Sequence, residues 1–141
     1  ALGGQPGVRS ARFADDLGFE AESGLSKDER NNRCLLALLD VLPGTREGAS
    51  NRTARFLCAL ALARDGEVLL RAEGSVEGEI LSAPRGNDGF GYDPLFMIPG
   101  LGLTTAQLPR EQKWSVSHRG DAFRRLLKEL RAWKENRKEV A

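Results

Sequence analysis

At 141 residues, 40% hydrophobic and 29% charged, the chain has the make-up of one globular domain large enough for a real core. A formal net charge of +1 gives no overall field that would draw nucleic acid or a membrane surface. No apolar run approaches the roughly 20 residues of a membrane span. No basic-then-apolar leader opens the chain, and one histidine with two separated cysteines gives no zinc-ligand spacing. Cys34 and Cys58 sit in apolar patterns and read as buried free thiols, which suits a reducing, cytoplasmic setting.

In chain order, Ala1 to Phe13 holds Gly3, Gly4, Pro6 and Gly7 and reads as a turn-rich loop. The chain does not begin with Met and offers nothing before Ala1 to serve as a cap or strand, so it is expected to start within a domain. Asp15 and Asp16 are adjacent carboxylates that cannot share a face of a regular element, which favours a solvated loop over a metal site. Ser26-Lys27-Asp28-Glu29 is a capping box. Leu35, Leu38, Leu39 and Leu42 follow at helical spacing as a core stripe, and Pro43-Gly44 ends the helix. Gly44 to Arg52 is polar and reads as a loop.

Arg55 to Leu62 is an apolar run of strand length. Asp65-Gly66 is a two-residue hairpin turn, and Glu67 to Glu73 alternates as the return strand. Val76 to Ile80 alternates again and extends or follows that strand. Leu95 to Ile98 reads as a buried strand stopped by Pro99-Gly100. Thr104 to Lys113 reads as a turn or helical stub. Ser117 can then cap a final helix with the stripe Phe123, Leu126, Leu127, Leu130 and Trp133. Its other face mixes Arg124, Arg125, Lys128, Arg131 and Lys134 with Glu129 and Glu135. That face reads as solvated, with a nucleic-acid surface as the rival reading.

Two clusters carry chemistry. The stretch from Pro84 to Pro94 packs three glycines and two prolines into eleven residues, too many for a helix or strand interior. Such a loop lets backbone approach a ligand. Phe90 and Tyr92 offer flat faces to a ring, and Asp93 can accept hydrogen bonds from ring N–H groups. Downstream, Lys113 and Ser117-His118-Arg119 collect cations and free N–H groups at a helix start, a setting that favours anions. Arg119 offers a planar donor fork for phosphate or for a purine carbonyl. Together the clusters suit a nucleotide, with its base at one and its phosphates at the other. No Ser-His-Asp or Cys-His arrangement and no Walker-type loop is legible.

Four stretches in order resemble one family: Ala1-Leu2-Gly3-Gly4-Gln5-Pro6-Gly7-Val8-Arg9-Ser10-Ala11-Arg12-Phe13, Ala54-Arg55-Phe56-Leu57-Cys58-Ala59-Leu60, Gly89-Phe90-Gly91-Tyr92-Asp93-Pro94-Leu95-Phe96 and Ser117-His118-Arg119-Gly120. They are similar to the inosine/xanthosine triphosphate pyrophosphatases, and the resemblance spans nearly the whole chain. It implies an α/β fold, an elongated mixed β-sheet flanked by helices, in a homodimer that uses Mg²⁺. It also implies hydrolysis of ITP, dITP or XTP to the monophosphate and pyrophosphate. By the same resemblance, Phe90, Gly91, Tyr92 and Asp93 hold the purine, and Lys113, His118 and Arg119 complete the nucleotide pocket. That family's phosphate-binding motif, metal-binding glutamate and catalytic aspartate lie upstream of the segment matching Ala1. Residues 1–141 are therefore expected to be one domain, the C-terminal two-thirds of such an enzyme, with no catalytic residue and no metal ligand of their own. Asp15, Asp16, Asp88 and Asp93 offer no substitute. A longer connection at Gly44 to Arg52 reads as a tolerated insertion. The rival readings are a non-catalytic nucleotide-binding remnant and a nucleic-acid binder using the basic final helix.

Overall fold

The computed structural model describes residues 1–44 and 52–139, the last three without their side chains. The chain groups into two compact units, where the sequence reads as one domain. The first unit joins Ala1–Ala54 to Gly78–Leu108, and the second joins Arg55–Glu77 to Pro109–Ala141.

In the first unit the opening stretch is helical, not a plain loop. A 3-10 helix, Gly7–Arg12, leads into α1, Phe13–Asp16. Its first hydrogen bond runs from the Arg9 N–H to the Pro6 carbonyl at 3.1 Å. Burial of Phe13 and Ala14 anchors this stretch, a tertiary gain that overrides its turn-rich composition. Asp15 and Asp16 thus sit on a short helix, exposed, and they do point apart. Asp15 pairs with Arg30 at 3.0 Å and Asp16 with Arg9 at 2.7 Å.

Helix α2, Lys27–Asp40, begins as its sequence dictates: Ser26 Oγ accepts from the Glu29 N–H, and the Glu29 carboxylate accepts from the Ser26 N–H at 2.8 Å. Leu35 and Leu39 are buried from the expected stripe, beside Cys34, while Leu38 and Leu42 are half-buried. Asn31 is buried as well. It accepts from the Ala14 N–H at 2.9 Å and donates to the Ala11 carbonyl, so a polar residue joins α2 to α1. Most of the polar loop expected from Gly44 to Arg52 lies outside the described residues, but Arg52 itself is buried.

The strands are β1 (Thr53–Arg64), β2 (Glu67–Ile80), β3 (Phe96–Ile98) and β4 (Leu103–Thr104), in the sheet order β1-β2-β3-β4. The α/β class expected from the sequence holds. The pairings β2 with β3 (Ile80 opposite Phe96) and β3 with β4 (Met97 opposite Thr104) are antiparallel. A Cβ at Gly78 would stand 2.3 Å from the Phe96 ring, so the bare glycine makes room for that ring. Phe96 and Leu95 are fully buried. Side chains of this size each contribute about 1.5–3 kcal/mol on burial.

In the second unit Asp65 and Gly66 both take positive φ, 52° and 83°, the geometry a two-residue hairpin turn requires. β2 runs unbroken through the two alternating stretches of the sequence. β1 alternates between half-buried and exposed residues, which leaves Leu57 65% exposed and Cys58 half-buried, not buried as expected. Helices α3 (Arg110–Val116) and α4 (His118–Glu139) follow.

The apolar stripe expected on α4 is not a buried core face. Ala122 is fully buried, but Phe123 and Leu127 are exposed and Leu126, Leu130 and Trp133 half-buried. The cause is close backbone packing. A Cβ at Gly74 would meet the Ala122 nitrogen at 2.2 Å, and one at Gly120 would meet the Trp114 carbonyl oxygen at 2.0 Å. Small residues make the contact, so the large ones flank it. Among the described residues no helix is long and apolar enough to cross a membrane.

Candidate functional site

The Gly- and Pro-rich loop lies in the first unit and is tied at its base. Leu81 N–H donates to the Leu95 carbonyl at 2.9 Å, and Arg85 N–H to the Pro94 carbonyl at 2.8 Å. Gly86 has φ +84°, and a side chain there would press its Cβ to 2.6 Å from the Ala106 backbone. Two buried threonines follow β3. Thr104 Oγ1 donates to the Arg85 carbonyl at 2.7 Å, and Thr105 Oγ1 donates to Asp93 Oδ1 at 2.8 Å.

Asp93 is only 7% exposed, and its other carboxylate oxygen accepts from the Phe90 N–H at 2.9 Å. Its carboxylate therefore folds the loop back on itself, whereas the sequence suggests an acceptor for ring N–H groups. Tyr92 is buried, and its hydroxyl donates to the Ser10 carbonyl at 2.8 Å. Burial pushes the Tyr92 phenol above its ordinary range, and charge at Cys34 and Asp28 adds to this. Phe90 differs from both: it is 58% exposed. Gly91, between the two rings, is held from α2, with Asp28 on its N–H at 2.7 Å and Asn32 on its carbonyl at 3.0 Å. The result is one open aromatic face on a loop whose other parts are fixed.

The cationic cluster lies in the second unit, at the junction of α3 and α4. Ser117 is buried, and its Oγ accepts from the Gly120 N–H at 3.1 Å, the expected cap. His118 is the first residue of α4, with its ring centroid 5.0 Å from that of Phe56. Arg119 is exposed, and Lys113 stands half-buried in the last turn of α3. Nearby, Arg124 donates to the Ser115 carbonyl at 3.0 Å and so ties the two helices together. Lys113, Ser117, His118 and Arg119 thus share one junction, and Phe90 to Asp93 share one loop.

Sequence reasoning missed Asp28, Asn32, Arg52, Thr104 and Thr105. One signal was available: Asn31-Asn32 is a poor helix former in mid-helix, which hints at a tertiary task for those amides. Among the described residues no three His, Cys, Asp or Glu side chains gather where they could hold a metal ion.

The Ham1 family model matches residues 1–129. The chain belongs to the Ham1 family. It is 51% identical over 130 residues to the dITP/XTP pyrophosphatase of Acidobacterium capsulatum, covering 92% of this chain and 61% of that relative. A second dITP/XTP pyrophosphatase, from an Exiguobacterium species, is 48% identical over 92% of this chain and 59% of its own length. Among solved structures, the HAM1 protein of Coxiella burnetii superposes with TM-score 0.73 at 34% identity, over 91% of this chain and 59% of that one. The Staphylococcus aureus Ham1 protein gives 0.68 at 36% identity, over 96% and 61%. The chain therefore spans about three-fifths of the length of these relatives.

Proposed function

We propose that this chain serves the hydrolysis of non-standard purine nucleoside triphosphates (dITP, ITP and XTP) to the monophosphate and pyrophosphate. The names of its relatives support this reading. The observation that carries it is Phe90, an exposed ring on a loop pinned by Asp93, Thr105 and Tyr92. A ring held this way loses little freedom when a purine stacks on it.

In this reading Phe90 stacks on the purine, Gly91 lets the backbone approach it, and Tyr92 and Asp93 hold the loop. Arg119 supplies donors that suit the 6-oxo group of inosine or xanthosine, against which the amino group of adenine is a poor match. Lys113 and His118 bind the rest of the nucleotide. The reaction cleaves an anhydride between phosphates, and Mg²⁺ is the cofactor we propose for it, neutralising charge on the phosphate oxygens. The described residues contribute base recognition to that reaction. A homodimer in the cytoplasm belongs to the same proposal and rests on the family resemblance.

Calorimetric titration of the chain with ITP and with ATP, alongside pyrophosphate release from each, tests the reading. We expect ITP to bind at least about tenfold more tightly, the ratio one mismatched polar group can impose. Equal affinity for the two, or none for either, overturns it.

A further inference from the structure

Helices α3 and α4 of the second unit share a surface that the hydrolytic reading leaves unused. Trp114 on α3 is 50% exposed and Phe123 on α4 is 44% exposed, with their ring centroids 5.9 Å apart. Leu127, one helix turn past Phe123, is exposed as well. An exposed apolar patch rimmed by charged residues is the usual mark of an interaction site.

The rim is a row of cations. Arg124, Lys128 and Arg131 follow at spacings of four and three residues, so they share one face of α4. All three are exposed and line one open groove with Leu127, Ala132 and Glu135. Arg124 Nη1 donates to the Trp114 carbonyl at 3.3 Å and Nη2 to the Ser115 carbonyl at 3.0 Å. Those partners carry no net charge, so its own is not neutralised. Among the described residues Lys128 and Arg131 form no ion pair, and Glu135 is the one acid of the groove lining. In the first unit, by contrast, Arg9, Arg30 and Arg33 each meet a carboxylate. Like charges at these spacings repel, so the row disfavours α4 unless an anion lies against it.

We infer that this face of α3 and α4 binds a single-stranded nucleic acid. Its phosphates lie along Arg124, Lys128 and Arg131, and its unpaired bases stack on Trp114 and Phe123. A row of cations selects a polyanion. A lipid surface or an acidic peptide would satisfy the cations and leave the two rings without a planar partner, whereas every base offers a π-face. Bases in a duplex are already stacked on one another, so the strand is single. The formal net charge of the chain is only +1, which confines the attraction to this face. The inference goes beyond the hydrolytic reading and does not rest on it.

The test is fluorescence anisotropy of a labelled oligothymidylate of about 12 nucleotides, titrated with the chain at several salt concentrations. The unaltered chain is compared with the double variant Lys128→Gln/Arg131→Gln and with Trp114→Ala. We expect saturable binding that weakens as salt rises. The double variant should flatten the slope of log affinity against log salt by about 1.4, two contacts at about 0.7 each. Trp114→Ala should bind at least about fivefold more weakly with its slope unchanged, because stacking releases no counterions. Should Trp114→Ala fail to fold, Phe123→Ala reads the same stacking. The strand annealed to its complement should bind more weakly than the strand alone, and saturating ITP should not displace it. No binding at low salt, or an unaltered slope in the double variant, overturns the inference. Unaltered affinity in the aromatic variant, equal affinity for the duplex, or displacement by ITP overturns it equally.

Discussion

Arg52 Nε donates to the Ile80 carbonyl at 2.7 Å, where β2 ends and the aromatic loop is about to begin. Its Nη2 reaches the next carbonyl, Leu81, at 3.0 Å, and Nη1 lies 3.7 Å from Asp40 at the end of α2. The side chain is almost wholly buried, so one guanidinium ties together a helix end, a strand end and the root of the loop.

Removing that fork leaves two buried carbonyls without their donor. Each unmade bond of this kind costs about 1–3 kcal/mol, so Arg52→Met should destabilise the chain by about 3 kcal/mol or more. Arg52→Lys should recover less than half of the loss, because an ammonium on a flexible stem cannot present two fixed N–H groups. Urea unfolding of the two variants measures both effects. A loss below about 1 kcal/mol in Arg52→Met would show that water satisfies those carbonyls.

The two cysteines should separate chemically. Cys34 lies in the buried face of α2, and burial pushes its thiol above the ordinary range. Cys58 is half-buried on β1. With a thiol reagent under native conditions, Cys58 should be modified first, and Cys34 only on unfolding. Equal rates for the two in the folded chain would contradict the packing described for α2.

What the sequence made legible was what neighbours in sequence decide. The Ser26–Glu29 capping box and the Asp65-Gly66 turn are local devices, and both stand as read. The aromatic stretch was also legible as a loop, because three glycines and two prolines in eleven residues cannot form a helix or strand interior. Its supports were not. Asp28 and Asn32 act on Gly91 across 63 and 59 residues, and Arg52 acts on Ile80 across 28. Nothing local marks such partners. The exposure of the α4 stripe was hidden for a related reason: periodicity shows which residues share a face, but Gly74 and Ala122 decide how closely that face is covered.

Acid should destabilise the fold through carboxylates held as anions. The Ser26 hydroxyl and N–H hold the Glu29 carboxyl below its ordinary value of 4.5. Arg9 does the same for Asp16, and Arg125 for Asp121. A group depressed on folding contributes stability that is present above its unfolded value and is lost as pH falls through the folded one. The thermal midpoint should therefore stay level from neutral pH to about 5 and fall below about 4. Glu29→Gln, which keeps the box without a titrating group, should fall less steeply. A midpoint that rises on acidification would contradict this sign.

Two glycines in the aromatic loop share a left-handed backbone but should respond differently to alanine. At Gly91, φ is +62° and the space beside it is open, so Gly91→Ala meets only the backbone cost of that conformation, about 1–2 kcal/mol. At Gly86, φ is +84° and the new methyl would also lie 2.6 Å from the carbonyl carbon and oxygen of Ala106. Backbone cannot swing aside as a side chain can, and Asp88 N–H donates to that same carbonyl at 3.2 Å. Gly86→Ala should therefore be the costlier change, by about 1–3 kcal/mol beyond Gly91→Ala, the range for an overpacked site. Urea midpoints of the two variants decide the order. The reverse order would mean that the Ala106 turn yields, and that the loop is held mainly from α2 through Gly91.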